Sequence, residues 1–519
     1  MPDNTALRIL YAAGPGDIIG TYEYWLNGQD DPSQVSVTYS SQFYELCQNL
    51  QAKAYVISSS SRTDYWRDGQ FILENRPNPF QSASGIWYHL GQITYGLWLS
   101  WSAIRFRANV VVADSGSTYW FVLSLLGWLG VKVIPSLHCV LWLKHAQPRL
   151  IENLLLKLSR RFFAKDCAAV VAVSQDIGDQ VEQLTQGRRS VVEFLPTYRP
   201  SEFLDVAEPN WERSPFRVLF AGRVERNKGV FDLLEIAKRF AAEGHQDIVF
   251  EVCGEGSALG ELLYAVAEAG LNHRFRCHGH CQKTQMRERL SQSHVVIVPT
   301  RTEFVEGFNQ VVAEAILVGR PVVTSSVCPA LSYVKSAAVE VPPNDVRAYG
   351  DALLKLRDDR EFYEQKRRSC SELQSPFYDA GRSWGAKLQD ILIGAPRAAG
   401  LAPAAPAAAK RLVIVQYAGD YRQTVQNFAA NQEEAYYAQR YSVESVAALV
   451  EQVEAVSVIC CLTDEPYDEV LPNGVRAIGA GFQPDRAVAP RKVIQLIEQL
   501  QPTHLIVRMP MRQIFSWAI

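Results

Sequence analysis

Residues Glu303–Glu314 read EFVEGFNQVVAE. They follow an apolar, β-branched run at Val295–Val298 and the pair Pro299-Thr300. The spacing predicts a buried strand over Val295–Val298 and a helix over Asn309–Val318. Glu306 then lies in the loop at the helix N-terminus, where the helix dipole favours a carboxylate. Glu314 falls more than a turn further along, with seven residues between the two acids. Carboxylates accept hydrogen bonds from hydroxyl groups, so one of this pair could grip a sugar and the other a ribose. Two solvated helix acids would give the same sequence.

Upstream, a strand at Arg217–Ala221 leads into Gly222-Arg223-Val224-Glu225-Arg226-Asn227-Lys228-Gly229, which opens a helix running to Glu243. Glycine at 222 lets a ligand approach the backbone closely. Arg223 can hold phosphate with two parallel bonds, and Lys228 adds a point charge. The helix N-terminus attracts an anion as well. The group could therefore bind a diphosphate and stabilise it as it leaves. A plain strand–loop–helix turn with solvated charges is the other reading. A second loop, Gly254-Glu255-Gly256, joins the strand Ile248–Cys253 to a helix over Ser257–Gly270. It suits a nucleotide packed on bare backbone, and a tight turn equally. Strands at Arg274–Cys277 and Pro321–Thr324 continue this βα series.

A first series precedes it. Strands are predicted at Arg8–Ala13, Lys53–Ser58, Asn109–Ala113, Val131–Pro135 and Ala168–Val173, with helices between them, as in a parallel sheet with crossovers. Loops follow the strand ends at Gly14-Pro15-Gly16-Asp17, Asp114-Ser115-Gly116, Leu137-His138 and Ser174-Gln175-Asp176. In open α/β sheets ligands bind beyond those ends. Leu195–Pro215, rich in proline and charge, reads as a linker. Residues 394–410 are low-complexity Ala/Pro, a semi-stiff spacer. A strand then returns at Leu412–Gln416, followed by Tyr417-Ala418-Gly419-Asp420. This echoes ILYAAGPGD at Ile9–Asp17 and suggests a second copy of the N-terminal module. Met511–Ile519 looks like the start of a helix, so the chain is expected to stop partway through that copy.

The chain has 519 residues, of which 48% are hydrophobic and 21% charged. That composition suits a globular protein of about three domains. The net charge of −3 lacks the basic domain that nucleic-acid binding wants. The 10 cysteines show no framework spacing, as in a reduced cytoplasmic protein. The first residues lack the features of a signal peptide. The apolar run Trp120–Gly130 is shorter than the ~20 residues a bilayer span needs. Leu150–Lys165, apolar with a basic end, fits an interfacial helix on a membrane or an ordinary packed helix. Cys277-His278-Gly279-His280-Cys281 packs four ligand types together, but its spacing fits no usual zinc pattern, and no metal is expected.

The ordered set GR-x4-KG, G-x-G, EGF-x5-E and GRPVV resembles the retaining glycosyltransferases with the GT-B fold, glycosyltransferase family 4 or group 1. The resemblance covers about residues 8–392 and is strongest over 216–326. It implies an α/β architecture of two Rossmann-like domains facing a cleft: an acceptor-side domain at 1–200, a nucleotide-sugar donor domain at 216–370, and a crossover helix at 371–393. Residues 411–519 would be a partial N-lobe-like α/β module, catalytically silent. The resemblance assigns Arg223 and Lys228 to the donor diphosphate, Glu306 to the transferred sugar, and Glu314 to the ribose. It assigns His138 to the sugar from the acceptor side. The loop Gly14–Gly20, with Gly16 and Gly20, would close over the ligands. Gly222, Gly254, Glu255, Gly256, Gly307, Phe308 and Asn309 complete the donor site. Asn309 departs from the family, which often has glycine there. Ser325-Ser326-Val327-Cys328-Pro329-Ala330 replaces a common glycine pair, which leaves the sugar preference open.

The implied reaction is metal-independent hexosyl transfer with retention, from a UDP- or GDP-sugar as co-substrate, with no further cofactor. The acceptor would be a carbohydrate or a lipid-linked glycan, in polysaccharide or glycoconjugate synthesis. The expected location is the cytoplasm, with peripheral contact at the inner membrane face as an option. A nucleotide-sugar epimerase of the same fold, and a non-catalytic scaffold, are the competing readings.

Overall fold

The computed structural model describes residues 7–78, 84–146, 150–203, 206–207, 211–212, 214–394, 411–416, 419–430, 443, 446–450, 453, 455–461, 463–481, 490–500 and 502–508. They form two compact units, Met1–Ala395 and Pro396–Ile519.

The first unit contains two sheets. The N-terminal one comprises β1 (Arg8–Ala13), β2 (Lys53–Ser58), β3 (Asp64–Asp68), β4 (Phe71–Asn75), β5 (Val110–Asp114), β6 (Lys132–Leu137), β7 (Val171–Ala172) and β8 (Val192–Glu193), in the order β3-β4-β2-β1-β5-β6-β7-β8. Neighbours are parallel except β3 and β4. Its helices are α1 (Ile18–Leu26), α2 (Tyr39–Asn49), α3 (Ile86–Phe106), α4 (Ser124–Trp128), α5 (Leu150–Arg161) and α6 (Gln175–Thr185). Strands β1 and β5 are nearly all apolar and buried, because helices cover both faces of a parallel sheet. The β3–β4 hairpin is absent from the sequence reading. Four of the five residues of β3 are exposed, so an edge strand of this kind shows no buried stripe. The expected strand Ala168–Val173 pairs only over Val171–Ala172.

The second sheet is β9 (Phe216–Ala221), β10 (Ile248–Cys253), β11 (Phe275–Cys277), β12 (Val295–Val298), β13 (Val322–Ser325) and β14 (Ala338–Val341), all parallel, in the order β11-β10-β9-β12-β13-β14. Helices α7 (Val230–Ala242), α8 (Leu259–Glu268), α9 (Lys283–Gln292), α10 (Gln310–Leu317), α11 (Leu331–Val334), α12 (Val346–Asp358), α13 (Arg360–Glu372) and α14 (Ser375–Tyr378) follow in turn. The two sheets give the pair of Rossmann-like domains of the GT-B fold.

Helix α15 (Trp384–Ile393) returns the chain to the first sheet. Phe377 is buried in the core of the second sheet, whereas Trp384 is buried among Tyr11, Phe43 and Tyr39 of the N-lobe. The segment read as a linker is not a free one. Leu195, Tyr198 and Phe203 are buried, and the amides of Leu195 and Tyr198 bond to Arg382 and Phe377 at 2.9 and 3.0 Å. Proline and charge hid its apolar anchors.

The second unit has β15 (Arg411–Gln416), α16 (Tyr421–Ala429), β16 (Ala455–Cys460), β17 (Tyr467–Val470), β18 (Arg476–Gly479), a helix at Pro490–Leu500 and β19 (His504–Arg508). Its sheet order is β17-β18-β16-β15-β19. Only the β17–β18 pair is antiparallel. Residues 395–410, Tyr417, Ala418 and Met511–Ile519, on which the spacer, part of the echo and the last helix were read, lie outside the described residues.

Candidate active site

Two glycine loops follow β9 and β10 and pack on each other. The amide of Gly222 bonds to the Cys253 carbonyl at 3.0 Å, and the amide of Val224 bonds to the Glu255 carbonyl at 2.9 Å. Gly254 has φ +139°, and a Cβ there would collide with the carbonyl of Gly222. Glycine is therefore required for the loops to pack on each other, a reason the sequence reading did not contain. Gly222, Arg223, Gly254 and Glu255 line a cavity of about 290 Å³ with His280, Cys281 and Met286.

Arg223 and Lys228 lie over the same ring, their cationic groups 5.0 and 4.0 Å from the centre of Phe304. Arg223 also pairs with Glu225 at 3.1 Å and stays largely exposed. Lys228 sits in a short 3-10 turn, Arg226–Lys228, and is paired with Glu306. Both of these side chains are mostly buried. Asn309, in place of the family's glycine, donates its side-chain amide to the same Glu306 carboxylate at 2.8 Å. Its Oδ1 is buried with no hydrogen-bond partner, so a ligand donor group could take it.

Glu314 lies on the second turn of α10 and is buried. Burial pushes its pKa up to about 7. Neither glutamate is therefore a solvated helix acid. Phe308 packs against Tyr333 and Phe377 and also against the N-lobe core.

The lobes meet at Gly307. A Cβ there would strike the carbonyl of His138, and the Val140 amide donates to the Glu306 carbonyl at 3.1 Å. The His138 ring itself is turned into its own lobe. Its Nε2 stands 3.1 Å from Asp114 and 2.8 Å from Ser136. Tyr11 donates to the other Asp114 oxygen at 2.7 Å, and the Trp384 indole donates to Ser136 at 2.9 Å. The crossover helix thus reaches the histidine through one hydroxyl.

The N-terminal loop is shorter than expected. Asp17 caps α1 by accepting from the amide of Gly20 at 3.1 Å, so Gly20 belongs to the first turn of the helix. Gly16 remains in the loop, which Ser58 holds by donating to the Gly14 carbonyl at 2.9 Å. Among the described residues, no three His, Cys, Asp or Glu side chains are grouped to hold a metal ion. His278 is instead bonded to the buried Glu251 at 2.5 Å.

The family model for glycosyl transferases group 1 matches residues 203–372, and that for glycosyltransferase family 4 matches residues 40–197. The two matches fall on the two lobes. The chain is a GT-B glycosyltransferase.

A curated relative is the 2-deoxystreptamine glucosyltransferase of Streptomyces kanamyceticus, 23% identical over 314 residues, covering 57% of this chain and 77% of that protein. Two solved structures share the fold. Sucrose-phosphate synthase from Thermosynechococcus elongatus has a TM-score of 0.56 at 13% identity, over 75% of this chain and 98% of that one. HepE of Anabaena in complex with UDP has a TM-score of 0.51 at 15% identity, over the same shares.

A further cavity of about 310 Å³ in the glycosyltransferase is lined from both lobes. Trp142, His145, Asp176 and Asp179 come from one side, and Thr302, Phe304, Glu306 and Val327 from the other. His145 is 3.3 Å from Ser326. The sequence marks the loop Asp114-Ser115-Gly116 only as a strand end and gives no role to Trp384. Phe304, which carries both cations, stood unremarked inside the motif. A strand-end aspartate near a histidine was the one available signal for Asp114.

Proposed function

We propose that this glycosyltransferase moves a hexosyl group from a nucleotide-sugar donor, a UDP- or GDP-sugar, to a carbohydrate or lipid-linked acceptor, with retention of configuration and without a metal ion. The observation that carries the reading is that Lys228 pairs with Glu306 and shares the Phe304 ring with Arg223, beside the point where the lobes touch at Gly307. Two cations close to a developing diphosphate supply the electrostatic stabilisation that a divalent ion supplies elsewhere. The 290 Å³ cavity between the glycine loops suits a nucleotide, and the 310 Å³ cavity reaching Glu306 suits an acceptor. The solved complex of HepE with UDP supports a nucleotide in such a fold.

In the proposed step the bond between the anomeric carbon and the diphosphate oxygen breaks. The acceptor oxygen attaches to the same face, and its proton passes to the leaving phosphate. No carboxylate has to become a covalent nucleophile, in contrast to retaining glycosidases. Glu306, held by Lys228 and Asn309, orients the sugar, and Glu314 takes the ribose. Gly14–Asp17 and the interlobe contact at Gly307 help to close the cleft, which excludes water. Synthesis of a polysaccharide or glycoconjugate, in the cytoplasm or at its membrane face, fits this chemistry. The second unit is read as a silent, partial copy of the N-lobe.

A thermal-shift screen with UDP-, GDP- and ADP-sugars tests the reading, because a ligand that binds only the folded state raises its stability. At least one nucleotide sugar should raise the melting temperature, and Glu306→Gln should abolish most turnover in a folded protein. Absence of any shift, or near-normal turnover in the variant, would sink it.

A further inference from the structure

Helix α3 is built the wrong way round for water. Its outward side carries Ile86, Trp87, Leu90, Leu97, Trp98 and Trp101, all exposed. Its buried side includes Gly91, Gln92, Gly96, Ser100, Ser102 and Ala103 alongside Tyr95, Leu99 and Phe106. A surface helix of a water-soluble domain normally turns its apolar stripe inward. Trp87, Trp98 and Trp101 are 61%, 45% and 65% exposed. At ~250 Å² for a large aromatic side chain, these three alone present about 400 Å². The largest apolar patch of a typical monomer is ~300–600 Å² in total.

The patch does not end with α3. The right-handed crossovers β4–α3–β5, β5–α4–β6 and β6–α5–β7 all run the same way along the sheet, so the three helices lie on one face of it. Gly96 of α3 packs on Thr118 and Val122. Trp120 stacks on Phe162 just after α5, and Arg161 of α5 lies 5.3 Å over the ring of Trp128 in α4. Trp128 and Leu129, and then Leu150, Ile151, Leu154 and Leu158 of α5, extend the exposed apolar surface. In α5 these residues follow a helical period, so they form one stripe.

The charge on this layer is one-sided. Arg105, Arg107, Lys132, Lys157, Arg160 and Lys165 are exposed along it. The acids within the three helices and the π-turn after α5 are Glu152 and Asp166, in a chain whose net charge is −3. Trp98, Trp101 and Arg105 also border a cavity of about 730 Å³ lined by Arg8, Arg76 and Glu74. Exposed tryptophans mixed with arginine and lysine are the composition that settles at a bilayer interface.

We propose that the outer layer α3–α4–α5 of the N-lobe is a docking face for an anionic lipid membrane. The aromatic and aliphatic side chains enter the headgroup boundary, and the basic side chains meet the lipid phosphates. Among the described residues no helix is long and apolar enough to cross a membrane, so the contact is peripheral. It does not depend on the proposed transfer reaction, since it is read without donor or acceptor.

The test is flotation of the full chain with vesicles of phosphatidylcholine, with and without phosphatidylglycerol. Binding to the phosphatidylglycerol vesicles is expected, weakened by salt, with a blue shift of tryptophan emission. Trp98→Ala with Trp101→Ala should lose most of the bound fraction while keeping its circular dichroism. Lys157→Glu with Arg160→Glu touches no core. Each basic side chain near an anionic surface strengthens binding about fivefold, so this reversal should weaken it by roughly 25-fold or more. The proposal is overturned if the parent floats with neither vesicle, or binds both equally. It is overturned too if the variants bind unchanged, or if light scattering shows a dimer that the tryptophan variant dissociates, which would make this a face between copies.

Discussion

Replacing Glu314 with glutamine asks whether the fold holds this carboxyl group uncharged. Burial takes its pKa from 4.5 to about 7, and a displacement of that size is worth ~3 kcal/mol at 1.36 kcal/mol per pH unit. The folded-state value lies above the unfolded one, so between the two the folded chain carries the extra proton. Stability from this group is fully present below about pH 4.5 and is lost as pH rises through about 7. Glutamine fills nearly the same volume and does not titrate. The variant should therefore lack that slope and gain relative to the parent at pH 8. At 2–4 °C per kcal/mol, the donor-lobe transition of the parent should fall by roughly 5–10 °C more than that of the variant between pH 5 and pH 8. Scanning calorimetry of both proteins at the two pH values reads the difference directly. The ionised carboxylate accepts a ribose hydroxyl more strongly than the protonated acid does, so if Glu314 takes the ribose, nucleotide affinity of the parent should rise through pH 7. Parallel melting profiles for parent and variant would refute the reasoning, because the carboxyl group would then be paying no burial penalty.

Gly307→Ala should set a methyl against the His138 carbonyl and part the lobes; turnover should drop sharply while nucleotide binding by the donor lobe survives, as isothermal calorimetry can show. Lys228→Met leaves Glu306 buried with no cation paired to it, held by the Asn309 side-chain amide and the Gly307 backbone amide, which should lower stability by about 1–3 kcal/mol in urea unfolding and weaken the affinity for diphosphates. Trp384→Phe removes the indole donor to Ser136; a loss of ~1 kcal/mol is expected, with a lower kcat at nearly unchanged donor KM if His138 needs that mooring. Turnover should persist in excess EDTA if Arg223 and Lys228 stabilise the leaving diphosphate as proposed, and abolition by EDTA that added Mg²⁺ or Mn²⁺ reverses would contradict this.

Much of the donor side was legible because backbone chemistry constrains it. A strand feeding a loop that ends in a helix has a recognisable residue pattern, and Arg223, Lys228, Glu306 and Glu314 fall at positions set by it. Burial was not legible. Glu306 and Glu314 read equally well as solvated acids, and only the pairing of Glu306 with Lys228 and Asn309 and the burial of Glu314 on α10 decided otherwise. Long-range partners were hidden for the same reason. Asp114 and His138 are close in space through adjacent parallel strands, β5 and β6. Trp384 reaches Ser136 across 248 residues of chain. Nothing local in a sequence encodes such a pairing. Asn309 shows the reverse case. It was marked as a departure from the family, yet its amide holds the very carboxylate that the motif is named for.

The second unit carries the echo further than the sequence could. The matching residues were few, a short strand with glycine and aspartate after it. The structure adds topology, since β17-β18-β16-β15-β19 repeats the strand order of β3-β4-β2-β1-β5, with the antiparallel pair in the same place. The capping chemistry repeats too. Asp17 accepts from the third amide after it at the start of α1, and Asp420 does the same at the start of α16. A βα unit with crossovers has few free choices, so shared order alone would be weak evidence. An edge hairpin at the same position and a cap at the same turn are choices that handedness does not force. A common origin of the two segments would account for both. The donor-side groups Arg223, Lys228, Glu306 and Glu314 all lie in the lobe that has no counterpart among the described residues of the second unit. If expressed alone, residues 411–519 should bind and turn over no nucleotide sugar. Measurable binding there would mean that this sheet supplies a site of its own.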